Sequence, residues 1–261
     1  MSAAFSPSPR VLVLGDSHSQ ALAKAHEVRS ERTPGSEGIQ FDINWLAKKD
    51  GSRGDLPLAD ALERVSLLEG DDMLVLSILG TFHNIFGLLQ HEQPFDLFSR
   101  GDETMTLAEG RLVVPENALW DTFREGNERN GSMAVLRSKA RGRVYHLATP
   151  PPKEDSAFII ASATRYNGRV IAEAGLNLAS IRLKLWKLEL RVLAQLFTEW
   201  NIHLVLPPPE AQTADGFLKP EHYGRDATHA NAAYGELVLR QLEVVATAIS
   251  PAKESVGGSL E

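Results

Sequence analysis

The sequence contains no cysteine among its 261 residues. It therefore has no disulfide bond, no thiolate nucleophile and no zinc site built on cysteine. Cations are also in the minority, with 27 Lys and Arg against 34 Asp and Glu and a formal net charge of −7. Surfaces that bind nucleic acid or anionic membranes need a clustered excess of cations, so we expect no nucleic-acid partner.

The chain also lacks a long apolar run. No stretch approaches the roughly 18 consecutive apolar residues that can span a bilayer. Residues 1–9 have neither the basic start nor the apolar core of a signal peptide. We therefore predict a cytoplasmic protein that does not insert into a membrane.

No internal repeat and no low-complexity linker divides the chain. With 43% hydrophobic residues, a chain of this length can bury one large core, so we predict a single domain over residues 1–250. Residues 251–261 are rich in Gly and Ser, and we predict a disordered tail there.

Short apolar segments alternate with segments of helical periodicity along the chain. The predicted strands are 11–14, 39–46, 73–79, 143–148 and 202–206. The predicted helices are one that begins at Gln20, then 58–68, 116–138, 177–201 and 231–248. This alternation predicts one doubly wound, mostly parallel sheet with helices on both faces.

Two parts of the chain fit this pattern less simply. Residues 81–115 show no clear periodicity, and we predict an irregular insertion near the site with a small hairpin around Glu109 and Gly110. Within the helix at 177–201, Lys184, Lys187 and Arg191 fall outside the apolar stripe. A solvated helix face is the expected reason.

Ser17 lies where the first predicted strand becomes a helix, in the segment Gly15-Asp16-Ser17. Gly15 permits a sharp turn, and the Ser17 N–H then points where helix N-termini stabilise negative charge. The tripeptide alone also fits an ordinary turn with a capping serine. In sheets of this type, however, functional sites lie beyond the carboxyl ends of the strands, where this segment is expected.

A second motif, Asp226-Ala-Thr-His229, precedes the last predicted helix. A carboxylate three residues before a histidine can accept the Nδ1–H of the imidazole, which leaves Nε2 free to take a serine proton. Asp226 would then orient the ring and His229 would act as base. The alternatives are a helix cap at Asp226, a surface histidine at 229, or a metal site of His222, Asp226 and His229 in a phosphoesterase.

Together these motifs resemble the SGNH hydrolases, also called the GDSL esterase/lipase family. The resemblance rests on Gly15-Asp16-Ser17 after the first strand, Gly80 closing the third strand, and Asp226-x-x-His229 near the end. It implies a single flavodoxin-like α/β/α domain in three layers, with a mostly parallel five-stranded sheet. It also implies serine-dependent hydrolysis of a carboxylic ester, such as an acylated sugar or small metabolite, without cofactor or metal.

The resemblance implies an oxyanion hole made by the serine N–H, a glycine N–H after the second strand and an asparagine side chain after the third. Gly51 and Gly54 are both candidates for the glycine. The asparagine does not follow Gly80 as the family pattern expects, because the chain reads Gly80-Thr81-Phe82-His83-Asn84.

Three explanations of this departure are open. Asn84 reaches back from a shifted loop, Thr81 supplies a hydroxyl donor instead, or the donor is lost. His83, beside Asn84, is a candidate for substrate contact. A lost donor is typical of a slow enzyme or of a relative that binds a ligand or glycan without cleaving it.

Overall fold

The computed structural model describes residues 9–32, 39–48, 50–51, 53–100 and 106–249. At its centre, five parallel strands are arranged in the order β2-β1-β3-β4-β5. The strands are β1 (Arg10–Gly15), β2 (Gln40–Trp45), β3 (Met73–Ser77), β4 (Arg143–Leu147) and β5 (His203–Val205). The sequence predicted this sheet, and the carboxyl ends of all five strands lie at one edge.

Helices form a layer on each face of the sheet. Their bounds are α1 (Gln20–Arg32), α2 (Leu58–Ser66), α3 (Phe82–Gly87), α4 (Glu116–Glu128), α5 (Gly131–Lys139), α6 (Ser156–Ser162), α7 (Ile171–Ala174), α8 (Ala179–Glu199) and α9 (Ala232–Ile249). Apolar residues of α1 and α9 cover one face, and those of α2, α4, α5 and α8 cover the other. The fold is therefore the predicted flavodoxin-like α/β/α arrangement.

Strand β1 explains why the first apolar run does not alternate with polar residues. Val11 and Val13 pack under α1 and α9, whereas Leu12 and Leu14 pack against the opposite helix layer. A strand covered on both faces needs apolar side chains at every position. The position of β1 between β2 and β3 places its carboxyl end, and Ser17 beyond it, near the middle of the sheet edge.

The predicted helix over 116–138 is wrong as a single element. The structure has α4 and α5 instead, separated at Arg129 and Asn130. The Asn130 side chain accepts hydrogen bonds from the N–H groups of Ser132 (3.1 Å) and Met133 (3.4 Å). Such capping starts a new helix, because it satisfies N–H groups that have no partner within the helix.

The predicted hairpin around Glu109 and Gly110 is also wrong. The short strand Phe95–Asp96 pairs with Leu112–Val113, but the two run parallel, whereas a hairpin requires antiparallel strands. The insertion is also more regular than predicted, because it begins with α3. Residues 101–105, within the connection, lie outside the described part.

The prediction of a solvated face on α8 is wrong for Lys184. Its side chain is only 1% exposed, and its Nζ donates to Asp96 Oδ1 at 2.8 Å. This buried pair ties the insertion to α8. Arg191 is paired as well, with Glu116 at 2.7 Å.

The segment between β4 and α8 contains structure that the periodicity did not reveal. It forms α6, α7 and a hairpin of Arg165–Tyr166 with Arg169–Val170. The predicted tail at 251–261 lies outside the described residues. Among the described helices, none combines the length and apolarity needed to cross a membrane.

Candidate active site

The turn after β1 fixes the position of Ser17. A Cβ at Gly15 would lie 2.5 Å from Ser19 Cβ, so only glycine fits there. The Asp16 carboxylate accepts the His18 N–H at 3.0 Å, which caps the short 3₁₀ turn Ser17–Ser19. Within the described residues, the Ser17 N–H donates no hydrogen bond. It is therefore available to a bound ligand.

His229 and Asp226 meet Ser17 at this edge of the sheet. His229 Nε2 lies 2.7 Å from Ser17 Oγ, and His229 Nδ1 lies 2.6 Å from Asp226 Oδ2. The other oxygen, Asp226 Oδ1, accepts the N–H groups of Thr228 (2.9 Å) and His229 (2.8 Å). With the Nδ1 proton directed at the carboxylate, Nε2 of a neutral ring is left to accept the serine hydroxyl proton.

Two of the alternatives for this motif do not fit the structure. The cap of α9 is Asn231, whose side chain accepts the N–H groups of Ala233 (2.9 Å) and Tyr234 (3.2 Å), so Asp226 is not the helix cap. In the described residues, no group of three or more His, Asp or Glu side chains lies close enough together to hold a metal ion. The set of His222, Asp226 and His229 is therefore not a metal site.

The electrostatics of the site favour an ionised Asp226. Burial alone would raise the pKa of its carboxyl group, but the hydrogen bonds from the His229 ring and from the backbone outweigh burial. The net effect holds the pKa of Asp226 well below its usual range. The carboxylate is thus charged at neutral pH, and it can stabilise a positive charge on His229.

His18 packs against His229, with the ring centroids 4.6 Å apart. Burial, followed by the proximity of His229, lowers the pKa of His18 to about 3. His18 is therefore neutral near pH 7. A neutral neighbour does not oppose the charge that His229 gains when it takes a proton.

Lys153 binds the loop that carries Asp226. The sequence pattern did not indicate this role of Lys153. Its side chain is 1% exposed, and its Nζ donates to the carbonyl oxygens of Gly224 (2.8 Å) and Asp226. Burial lowers the pKa of Lys153 to about 8, against the opposing effect of Asp226. The one available signal was its place directly after three prolines that follow β4, at the same sheet edge.

No protein-family model matches the chain, and no curated protein sequence matches it. Solved structures do resemble it. A GDSL-like lipase from Bacteroides thetaiotaomicron is 14% identical over 92% of this chain and 89% of that chain, with a TM-score of 0.44. An extracellular lipase from Streptomyces rimosus is 12% identical over 90% and 99%, with a TM-score of 0.44. The periplasmic domain of a lipopolysaccharide acetyltransferase from Salmonella Paratyphi A is 10% identical over 94% and 85%, with a TM-score of 0.43.

The fold is the one that the resemblance to the SGNH hydrolases implied. The five-stranded parallel sheet lies between two helix layers, Ser17 follows β1, and Asp226 and His229 precede α9. The remaining candidates lie in the loops after β2 and β3 and in the first turn of α3.

Glu189 of α8 occupies the N-terminus of α3. Its carboxylate accepts the N–H groups of Phe82 (3.0 Å) and His83 (2.9 Å), and it lies 2.6 Å from His83 Nδ1. His83 is only 2% exposed, so this contact fixes its ring. The structure thus gives His83 a partner in the fold, and a substrate contact there stays a prediction.

The capping by Glu189 leaves two side chains uncommitted. Thr81 stands at the N-cap position of α3 without making a capping hydrogen bond. Neither its hydroxyl group nor the Asn84 amide has a hydrogen-bond partner among the described residues. Gly80, by contrast, is engaged: its N–H donates to Asn127 Oδ1 at 3.4 Å and its carbonyl accepts from Thr149.

The two glycines after β2 also differ in whether the fold uses their N–H groups. The Gly51 N–H donates to the Lys48 carbonyl at 2.9 Å and closes a turn. The Gly54 N–H has no hydrogen-bond partner in the described chain. A Cβ at Gly54 would lie 2.2 Å from Leu46 O, and its φ is +85°, so glycine is required there.

A pocket of about 770 Å³ opens beside Ser17 and His229. Its other lining residues come from α1, the end of β2, the β2–α2 loop and the segment around the start of α9, and include Lys24, Trp45, Arg53, Tyr223 and Arg225. No candidate oxyanion residue after β2 or β3 lines this pocket. The sequence pattern did not reveal these lining residues, because they come from separate segments without a shared motif.

Proposed function

We propose that the protein is a serine esterase of the SGNH type that hydrolyses carboxylic esters. The observation that carries this proposal is the hydrogen-bond chain from Ser17 Oγ through the His229 ring to Asp226. A serine hydroxyl is a weak nucleophile unless a base accepts its proton, and this chain supplies that base.

In the proposed reaction, Ser17 Oγ attacks the ester carbonyl carbon while His229 Nε2 takes the hydroxyl proton. The tetrahedral intermediate collapses, the C–O bond to the alcohol breaks, and His229 returns the proton to the departing alcohol. A water molecule then attacks the acyl-serine ester with His229 again as base. The products are the carboxylic acid and free Ser17, and Asp226 stabilises the charged imidazole in both steps.

Donors for the oxyanion are assigned by availability. The Ser17 N–H is free to donate, as is the Gly54 N–H, whereas the Gly51 N–H is committed to its turn. We assign the third donor to Asn84 or Thr81, because both side chains are uncommitted. Such donors act on charge that develops only in the transition state.

The pocket supports a small-molecule substrate. Its volume of about 770 Å³ falls within the range of about 300–1,000 Å³ that is typical of small-ligand sites. An acylated sugar or a small acylated metabolite fits this volume. The proposed steps need only protein side chains and water, and the cytoplasmic location stays a prediction.

One observation favours a second candidate function. The family pattern expects Gly-x-Asn or Gly-Gly-Asn-Asp after the third strand, whereas Gly80 is followed here by Thr81 and Phe82. If neither Thr81 nor Asn84 serves as a donor, transition-state stabilisation falls by about 3–4 kcal/mol. The protein would then be a non-hydrolytic relative that binds an ester or glycan in the same pocket.

Hydrolysis of short-chain acyl esters and acetylated sugars tests the proposal, with pH as the variable. Activity should fall when acid protonates His229, because a protonated imidazole cannot accept the serine proton. The pKa of His18 is lowered to about 3, so His18 stays neutral above that pH. The uptake of a single proton should therefore account for the fall in activity.

Controls for this profile are a chelator and a folding check by circular dichroism at each pH. Activity that is unchanged from mildly acidic to mildly basic pH would contradict the role of His229. Loss of activity on addition of a chelator would indicate metal-dependent chemistry instead.

A further inference from the structure

Three cationic side chains line the pocket beside Ser17: Lys24 of α1, Arg53 of the β2–α2 loop and Arg225 of the loop before α9. We call them the pocket cations. All three are exposed, and none has a hydrogen-bond or ion-pair partner in the described part of the chain. Five other arginines are by contrast paired with acids: Arg10, Arg29, Arg64, Arg124 and Arg191.

The pocket has fewer acidic groups than cations. Asp226 is the one acidic residue among the lining residues. Both of its oxygens already accept hydrogen bonds from the His229 ring and from the Thr228 and His229 N–H groups. The pocket is therefore locally positive although the whole chain carries a formal charge of −7.

Two aromatic residues also line the pocket. Trp45 and Tyr223 are half-buried and line the same pocket. The Tyr223 hydroxyl oxygen accepts the Glu154 N–H at 3.0 Å, which fixes the ring. A pocket with apolar rings and separate cations complements a small molecule that has both an apolar or ring-shaped part and a negative group.

We propose that the pocket cations select esters that carry an anionic group, a carboxylate or a phosphate, within a few bonds of the ester. This inference rests on the proposed ester hydrolysis and names its substrate class. Exposed cations each contribute a modest attraction, and three that converge on one pocket also raise the local concentration of an anionic substrate. A polyanionic macromolecule fits less well, because the chain as a whole is acidic.

Matched esters test this proposal. The anionic ester is 4-acetoxybenzoate and its neutral partner is 4-acetoxybenzamide, with 4-acetoxyphenyl phosphate as the phosphate counterpart. Each kcat/KM is divided by the rate constant for hydroxide-catalysed hydrolysis of the same ester, which removes differences in intrinsic reactivity. At low ionic strength, wild type should favour the anionic esters by about tenfold, and 0.5 M NaCl should reduce this preference.

Two triple variants locate the source of the preference. In Lys24→Gln/Arg53→Gln/Arg225→Gln, the ratio of anionic to neutral ester should fall to about one. The matched control is Lys139→Gln/Arg141→Gln/Arg143→Gln, which removes three exposed cations at the opposite edge of the sheet, where α5 ends and β4 begins. This control should keep the wild-type ratio.

The outcomes separate this inference from the proposed function. Hydrolysis of both esters with a ratio near one, or an equal loss of preference in both triple variants, overturns the inference and leaves the esterase intact. If wild type hydrolyses neither ester, equilibrium binding of the same compounds to wild type replaces the rate. If wild type then binds the anionic compound more tightly than the neutral one, and only the pocket triple variant loses this preference, the inference is supported although the esterase proposal fails. Equal binding of the two compounds would overturn both.

Discussion

Replacing Ser17 with alanine should lower kcat for ester hydrolysis by about 10⁴- to 10⁶-fold, because the alanine side chain cannot attack the carbonyl carbon. Asp226→Asn should lower kcat by about 10⁴-fold, because an amide neither holds the required tautomer of His229 nor stabilises its charge. The double variant should lose little more than Ser17→Ala, since the three side chains act as one unit. Purified variants and a common ester substrate give these values directly.

Ser66→Ala is the matched control for Ser17→Ala. Ser66 is exposed at the end of α2, and its hydroxyl donates only to the Glu63 carbonyl at 2.6 Å. This variant should keep wild-type kcat. A Ser17→Ala protein that melts at the wild-type temperature and still turns over ester at more than a hundredth of the wild-type rate would exclude Ser17 as the nucleophile.

The second large effect concerns the loop after β3, where this sequence departs from the family pattern. If Asn84 is the third oxyanion donor, Asn84→Ala should lower kcat by about 10²- to 10³-fold with KM nearly unchanged. The reason is that the donor acts on charge present only in the transition state. If Thr81 is the donor, Thr81→Val should show this loss and Asn84→Ala should have little effect.

The two variants serve as controls for each other, because both side chains belong to the start of α3 and neither makes a hydrogen bond in the described structure. If neither change lowers kcat, backbone N–H groups alone hold the oxyanion. If wild type turns over no ester and Thr81→Asn creates activity, the protein is a binding relative rather than an esterase.

Ser17 and the Asp226–His229 pair could be predicted as candidates because their signals are local. Gly15 lies two residues before Ser17, and Asp226 lies three residues before His229, so each motif is visible within one short segment. The apolar runs predicted the parallel sheet, and parallel topology brings the two motifs to one edge. Chemistry and topology together were sufficient to predict that Ser17, His229 and Asp226 meet.

The supporting contacts left no comparable signal. Lys153 binds a carbonyl 71 residues away, and Glu189 binds N–H groups 106 and 107 residues away. A single charged side chain that meets a distant backbone group creates no periodic pattern. The pocket cations were missed for the same reason, because they come from three segments that only the fold brings together.

The break between α4 and α5 differs, because its signal was present in the sequence. Asn130 and Gly131 are both weak helix formers, and asparagine is a strong N-cap. The apolar stripe continues across the break, with Leu119 and Phe123 on one side and Met133 and Leu136 on the other in the same core. Periodicity alone therefore predicted one helix where the capping residue indicated two.

The most direct test of Ser17 as an activated nucleophile is its reaction with a fluorophosphonate, followed by intact mass and peptide mapping. Wild type should gain one adduct per chain, on Ser17, because only a serine with an adjacent base is activated at neutral pH. Ser17→Ala should gain none, and His229→Ala should react far more slowly. Folded wild-type protein without an adduct, or Ser17→Ala protein labelled as fast as wild type, would contradict the account.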